Sequence, residues 1–141
     1  MHSSFYIYAN YYLNWATVIT CSLNIFWMLV VAITAFAERK DLDEIVTDIN
    51  WKAPVIISLL LSMAGMGCLF MSSLGLTIFW VSLIALGLQV FFILDDYHAL
   101  ARYIEQPEWY LTAHKIGAVI AVIACICLTL FLLSTIAVTD Y

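Results

Sequence analysis

The sequence predicts an all-α integral membrane protein. Four transmembrane helices are expected, with a tight central hairpin and short interfacial helices in the two charged connections. Three observations carry this expectation. Ala53 to Leu94 is a 42-residue run without Asp, Glu, Lys, Arg or His, too long for one span of about 20 apolar residues and right for two. Hydrophobic side chains make up 65% of the chain and charged ones only 11%, where soluble domains carry about 25% charged residues. All five cations fall in two connections, Arg39, Lys40 and Lys52 in one and Arg102 and Lys115 in the other. The 141 residues form a single membrane domain with predicted spans at about 11–37, 53–72, 76–95 and 116–138.

The chain opens on Phe5, Tyr6, Tyr8, Tyr11, Tyr12 and Trp15, an aromatic belt suited to a headgroup layer. No basic segment precedes the first apolar run and no small-residue cleavage pattern follows it, so it is expected to remain as a span rather than leave as a signal peptide. Within it Asn10, Asn14, Thr17, Cys21 and Asn24 step by four, three, four and three. They share one helix face, and amides in hydrocarbon need partners, so that face should meet protein. Interhelical hydrogen bonds explain it most simply; a polar ligand or ion path is the functional alternative. The first connection then reads as a short amphipathic helix. Asp41 and Glu44 resemble a capped start, and Leu42, Ile45, Val46 and Ile49 recur opposite Asp43, Glu44 and Asp48, as in a helix lying in the interface. Trp51 and Lys52 anchor the return, and Pro54 suits the first turn of the next helix.

The second span carries Ala64, Cys68 and Ser72 at four-residue steps beside Gly65 and Gly67, a small-residue ridge that lets helices approach closely. Ser72-Ser73-Leu74-Gly75 is the cluster of turn formers that breaks the long apolar run. Thr77, Ser82, Gly87 and Gln89 are the notable residues of the third span. In the fourth, Gly117, Ala121, Cys125 and Thr129 form another packing ridge. The four cysteines lack metal-knuckle or disulfide-framework spacing and read as buried small hydrophobes. Cations in the first and third connections place both of these in the cytoplasm or its organellar equivalent, with both termini on the other side, in a bacterial inner or organellar membrane.

Reactive side chains concentrate between Asp95 and Lys115. Tyr97, Leu100, Ala101 and Ile104 recur at helical spacing, so the third helix is expected to protrude as far as Pro107, with Asp95, His98, Arg102 and Glu105 on its other face. Asp95 and His98 have the i, i+3 spacing of a carboxylate-bridged metal site, which Glu105, Glu108 and His114 could complete. That pattern needs its motif twice, and here it occurs once with Arg102 in its midst, so a solvated face of paired charges is the reading adopted. No metal and no other cofactor is predicted. A quinone or lipid site is the stronger alternative, with Tyr97, Tyr103, Trp109, Tyr110 and His98 or His114 supplying stacking and a hydrogen bond. His2, His98 and His114 lie outside the predicted spans, which argues against intramembrane haem ligation. The spans contain no ionisable residue, which argues against a proton-coupled carrier. Phosphate loops, nucleophile elbows and zinc-helix motifs are missing, so catalysis is not expected. The net charge of −5 argues against nucleic acid as a partner.

The leading expectation is therefore a non-catalytic accessory or structural subunit of a larger integral-membrane complex. Its polar and small-residue helix faces would pack against other membrane subunits and lipid. The alternative is a small quinone-, lipid- or ligand-binding membrane module with its site at the cytoplasmic ends of helices three and four.

Overall fold

The structure is a computed structural model that describes residues 2–40, 44, 52–71, 76–101 and 108–139. These residues form four helices, α1 (His2–Ala37), α2 (Lys52–Phe70), α3 (Leu76–Leu100) and α4 (Glu108–Thr139), and the fold is all-helical. Three contain stretches long and apolar enough to cross a membrane, Phe5–Ala37, Thr77–Ala99 and Glu108–Val138; the apolar stretch of α2, Lys52–Cys68, is shorter. Apolar side chains offer the backbone no hydrogen bonds, so the chain satisfies its amides within each helix. The hydroxyls follow suit. Thr17 donates to the Leu13 carbonyl, Ser62 to Leu59 and Thr129 to Cys125, at 2.7–2.8 Å.

The helices outrun the predicted spans. α1 begins at His2, α3 continues to Leu100, and α4 starts at Glu108, two turns before Ile116. A charged side chain ends an apolar run without ending the backbone ladder, and Glu108 in the first turn of α4 complements the positive end of the helix. The Ala101 amide still donates to the Tyr97 carbonyl at 2.9 Å; the predicted continuation through 102–107 lies outside the described residues. So do the Ser72–Gly75 turn and the predicted interfacial helix, Glu44 excepted.

Each helix packs against two neighbours, α1 and α3 both against α2 and α4. The section is a square, with α1 and α3 across one diagonal. Register follows from side-chain pairs. Asn10 donates to Ser134 and Thr135 (3.0 and 2.8 Å) and Trp27 to the Ala113 carbonyl (3.0 Å), so α1 and α4 run antiparallel. Phe79 meets Phe131 edge-on at 5.4 Å while Asp96 meets His114 at 2.6 Å, so α3 and α4 run antiparallel. On the diagonal, Asn24 and Gln89 exchange two hydrogen bonds of 2.8 and 2.7 Å while almost wholly buried. A long amide on each side reaches across a gap the backbones leave open, and each satisfies the other.

Three apolar layers fill the square. Cys21, Phe79, Leu86, Ala124, Leu128 and Leu132 lie toward the hairpin tip. Met28, Ile93 and Ala118 form the middle, and Ala32, Ala35, Val55, Tyr110 and Leu111 the other end. Two glycines permit the closest approaches. A Cβ on Gly65 would stand 3.0 Å from Leu86 Cδ2, and one on Gly117 3.3 Å from Trp27 Cδ1. The outside is as apolar as the inside: Phe26, Ile33 and Phe91 are each more than 60% exposed, an arrangement that suits lipid rather than water.

The packing faces divide. Thr17, Cys21, Asn24, Gly117 and Ala121 are buried and Cys125 half-buried, but Asn14 is exposed. Asn14 stands about 15 Å from Asn24 along α1, toward its N-terminal end. On α2 the face turned inward is Val55, Ser58, Ser62 and Gly65, while Ala64 is exposed and Cys68 half-buried. One residue is 100° around a helix, so the ridge that approaches α3 runs through Gly65 rather than Ala64. Ser82 Oγ donates to the Gly65 carbonyl at 2.6 Å. Ser72 lies outside the described residues.

Candidate functional site

The inward stripe of α3 steps through Ser82, Leu86, Gln89, Ile93 and Asp96, all buried. Spacings of four and three keep them on one side of the helix, so the stripe that delivers Gln89 to Asn24 also delivers Asp96 to the core. Asp95, one residue earlier and 100° away, is exposed. On α4 the corresponding stripe is Tyr110, His114, Gly117, Ala121 and Ala124, all buried. Near the end of the bundle where α3 finishes and α4 begins, the two stripes bring together a carboxylate, an imidazole and a phenol.

His114 Nε2 lies 2.6 Å from Asp96 Oδ2, and the Tyr110 hydroxyl donates to the same oxygen at 3.2 Å. His114 Nδ1 is 2.8 Å from the Tyr110 carbonyl, an oxygen that can only accept. Nδ1 therefore carries a hydrogen. The short Nε2···Oδ2 contact needs a second proton, whether it resides on the ring or on the carboxyl. The Tyr110 and His114 rings stack at 4.3 Å between centroids, tilted by 54°, which fixes the imidazole plane. Asp96 is 2%, His114 6% and Tyr110 0% exposed, so the shared proton is enclosed. Among the described residues Asp96 Oδ1 has no hydrogen-bond partner, leaving one strong acceptor unsatisfied in a dry setting, a costly state that structures seldom keep without a use.

One space touches the cluster and a second lies beyond it. A small pocket of about 10 Å³ touches His114 and is lined by Met28, Val31, Ile93, Ala113 and Gly117, room for about one water molecule. Beyond Val31 and Ala113, which line both, an open groove of about 480 Å³ runs between α1 and α4. Its walls include Trp27, Trp109, Thr34 and Thr112, with Glu108 among its lining residues. The Trp27 ring is held by its bond to the Ala113 carbonyl. Trp109, 40% exposed, meets Tyr110 edge-on at 5.4 Å.

The sequence-predicted candidates are dispersed by the fold. His114 enters the cluster and Trp109 the groove. Tyr97 is half-buried against the end layer, with Lys115 Nζ 5.6 Å above its ring. His98 is exposed, edge-on to Tyr97. Asp95 and His98 face outward while His114 is buried, so these proposed metal ligands do not gather; Glu105 lies outside the described residues. Among the described residues no three His, Cys, Asp or Glu side chains are placed to hold a metal ion. Asp96 and His114 lie outside the spans expected from the sequence but inside two helices with apolar stretches long enough to cross a membrane, Thr77–Ala99 and Glu108–Val138, because the helices continue past the first charged residues. Sequence reasoning missed Asp96, although its signal was present: it is the next step of the stripe that runs through Ser82 and Gln89.

No protein family, curated protein or solved structure matches the chain. The geometry of the site carries the functional reading by itself.

Proposed function

We propose that the chain is a four-span membrane protein that binds an amphiphile, a lipid or quinone, at the cation-rich end of the bundle. In this reading α2 spans as well. Its 19 residues extend about 28 Å, close to the hydrocarbon thickness of about 30 Å, and it packs along α3. The cation-bearing connections lie in the cytoplasm or organellar equivalent and both termini on the opposite side, in a bacterial inner or organellar membrane.

One observation carries the binding reading. Val31 and Ala113 line both a groove open to the outside and the small pocket against His114. Ionisable groups among membrane helices are costly and mark sites of function, and the groove has the size of small-molecule clefts. The amphiphile's body occupies the groove between α1 and α4, a shift from the expected position between α3 and α4. The Asp96–His114–Tyr110 cluster locks the end of α3 to α4 behind the groove wall and keeps Trp109 in place through Tyr110. The test is equilibrium binding of a phospholipid and of a short-chain quinone to the detergent-solubilised protein, read by quenching of tryptophan emission. Thr112→Trp, which fills the groove from its exposed rim, is expected to abolish binding, and His98→Ala to leave it unchanged. Binding that survives Thr112→Trp contradicts the reading.

A second reading, the accessory subunit of a larger membrane complex, draws support from Asn14. Its side chain is exposed on α1, where a neighbouring subunit could hydrogen-bond its amide. The small Ala64 is exposed on α2 likewise. The remaining polar groups that motivated this reading are taken up inside the bundle: Asn24 by Gln89, and Asn10 by Ser134 and Thr135. Asn14→Leu would weaken co-purification of a partner subunit; an unchanged yield of partner would remove this support.

A further inference from the structure

We infer that the groove between α1 and α4 selects an amphiphile with a cationic ammonium head, such as a phospholipid bearing ethanolamine or choline, over anionic lipids and quinones. The inference rests on the binding reading above and names the ligand class of that site. Glu108 is the one charged side chain among the described residues that line the groove, and it is a carboxylate. It shares that lining with two indole rings, Trp27 and Trp109, and aromatic faces attract ammonium groups, indole most strongly. Each ring has a partner within the bundle, Trp27 the Ala113 carbonyl and Trp109 the Tyr110 ring, so little ordering is needed when a head group arrives. A carboxylate with two fixed indoles is chemically suited to an ammonium and repels an anionic head. The apolar part of the lining, Val30, Val31 and Ile116, accepts an alkyl chain. All of these phospholipids share the phosphate, so the ammonium decides between heads. A quinone has no cation to offer Glu108.

The test uses the full chain in neutral detergent micelles, titrated separately with phosphatidylethanolamine, phosphatidylcholine, phosphatidylglycerol and a short-chain ubiquinone analogue. Bound adducts are counted by native mass spectrometry and binding is read by tryptophan emission. The two ammonium lipids are expected to bind at least about fivefold more tightly than phosphatidylglycerol, a ratio within the usual range of cation–π and carboxylate contributions. Glu108→Gln is expected to erase that preference while leaving phosphatidylglycerol bound at least as well as before. Trp109→Ala is expected to weaken the ammonium lipids selectively. Both residues are exposed, and an unchanged thermal melt of each variant confirms that the fold is intact. Equal binding of phosphatidylglycerol and phosphatidylethanolamine, or tightest binding of the quinone, overturns the head-group assignment while an amphiphile site stands. Failure of all four compounds to bind overturns the site and the assignment together.

Discussion

Removing one partner from the Asp96–His114 pair is the most informative perturbation of this bundle. His114→Ala takes away the ring nitrogen 2.6 Å from Asp96 Oδ2 and the ring stacked on Tyr110. It leaves a carboxyl group 2% exposed, with the Tyr110 hydroxyl as its remaining donor and Oδ1 already unpartnered among the described residues. Truncating one member of a buried, hydrogen-bonded ionisable pair costs about 3–5 kcal/mol, because the other is left uncompensated. Asp96→Ala should cost a similar amount, since it strands His114 Nε2 and the Tyr110 hydroxyl at once. The double variant Asp96→Ala/His114→Ala removes the side chain that each single variant leaves behind, while the Tyr110 hydroxyl loses its bond to Asp96 as in Asp96→Ala. Its loss should therefore fall short of the sum by about 2–4 kcal/mol. The assay is equilibrium unfolding in mixed micelles with increasing anionic detergent, followed by helical circular dichroism and tryptophan emission. Additive losses, with no coupling above about 0.5 kcal/mol, would refute the claim that the two side chains share a proton in an enclosed site.

Other parts of the bundle give sharper contrasts. Gln89→Leu breaks both hydrogen bonds to Asn24 and strands its amide, which should cost about 1–3 kcal/mol; Asn24→Leu/Gln89→Leu should recover part of that loss in the same unfolding assay. Gly65→Ala places a methyl 3.0 Å from the fully buried Leu86 and should cost about 1–3 kcal/mol by overpacking. Gly67→Ala, where a Cβ would meet nothing within 4 Å, should be neutral or stabilising by up to about 1 kcal/mol. For the proposed topology, a membrane-impermeant maleimide applied to intact cells should label Phe5→Cys and spare Glu44→Cys; the reverse pattern would invert the assigned orientation.

The helices were legible in the sequence because apolar length and helical spacing are local properties. The uncharged run from Ala53 to Leu94 required a hairpin, and the face carrying Thr17, Cys21 and Asn24 announced which side of α1 would meet protein. Partners were not legible: nothing in the sequence around Asn24 says that Gln89, on the diagonal helix, reaches it. The site was harder still. Placing the limits of the spans at the first charged residue hid Asp96, although Ser82, Gln89 and Asp96 share one stripe of α3. It also left His114 outside, although Gly117 and Ala121 continue the same stripe of α4. The choice between Asp95 and Asp96 turns on 100° of rotation, and that rotation is set by the packing of four helices together. The groove is a tertiary object. Trp27 and Trp109 stand 82 positions apart in the sequence, and only the antiparallel register of α1 and α4 brings them to one wall.

The most direct test of an amphiphile-binding membrane module is gentle extraction from native membranes followed by native mass spectrometry of whatever travels with the chain. A monomer carrying one lipid or quinone, lost in the Thr112→Trp variant, is the predicted result. A chain that leaves the membrane without detergent, or one that carries no amphiphile and migrates only in stoichiometric association with larger subunits, would contradict it.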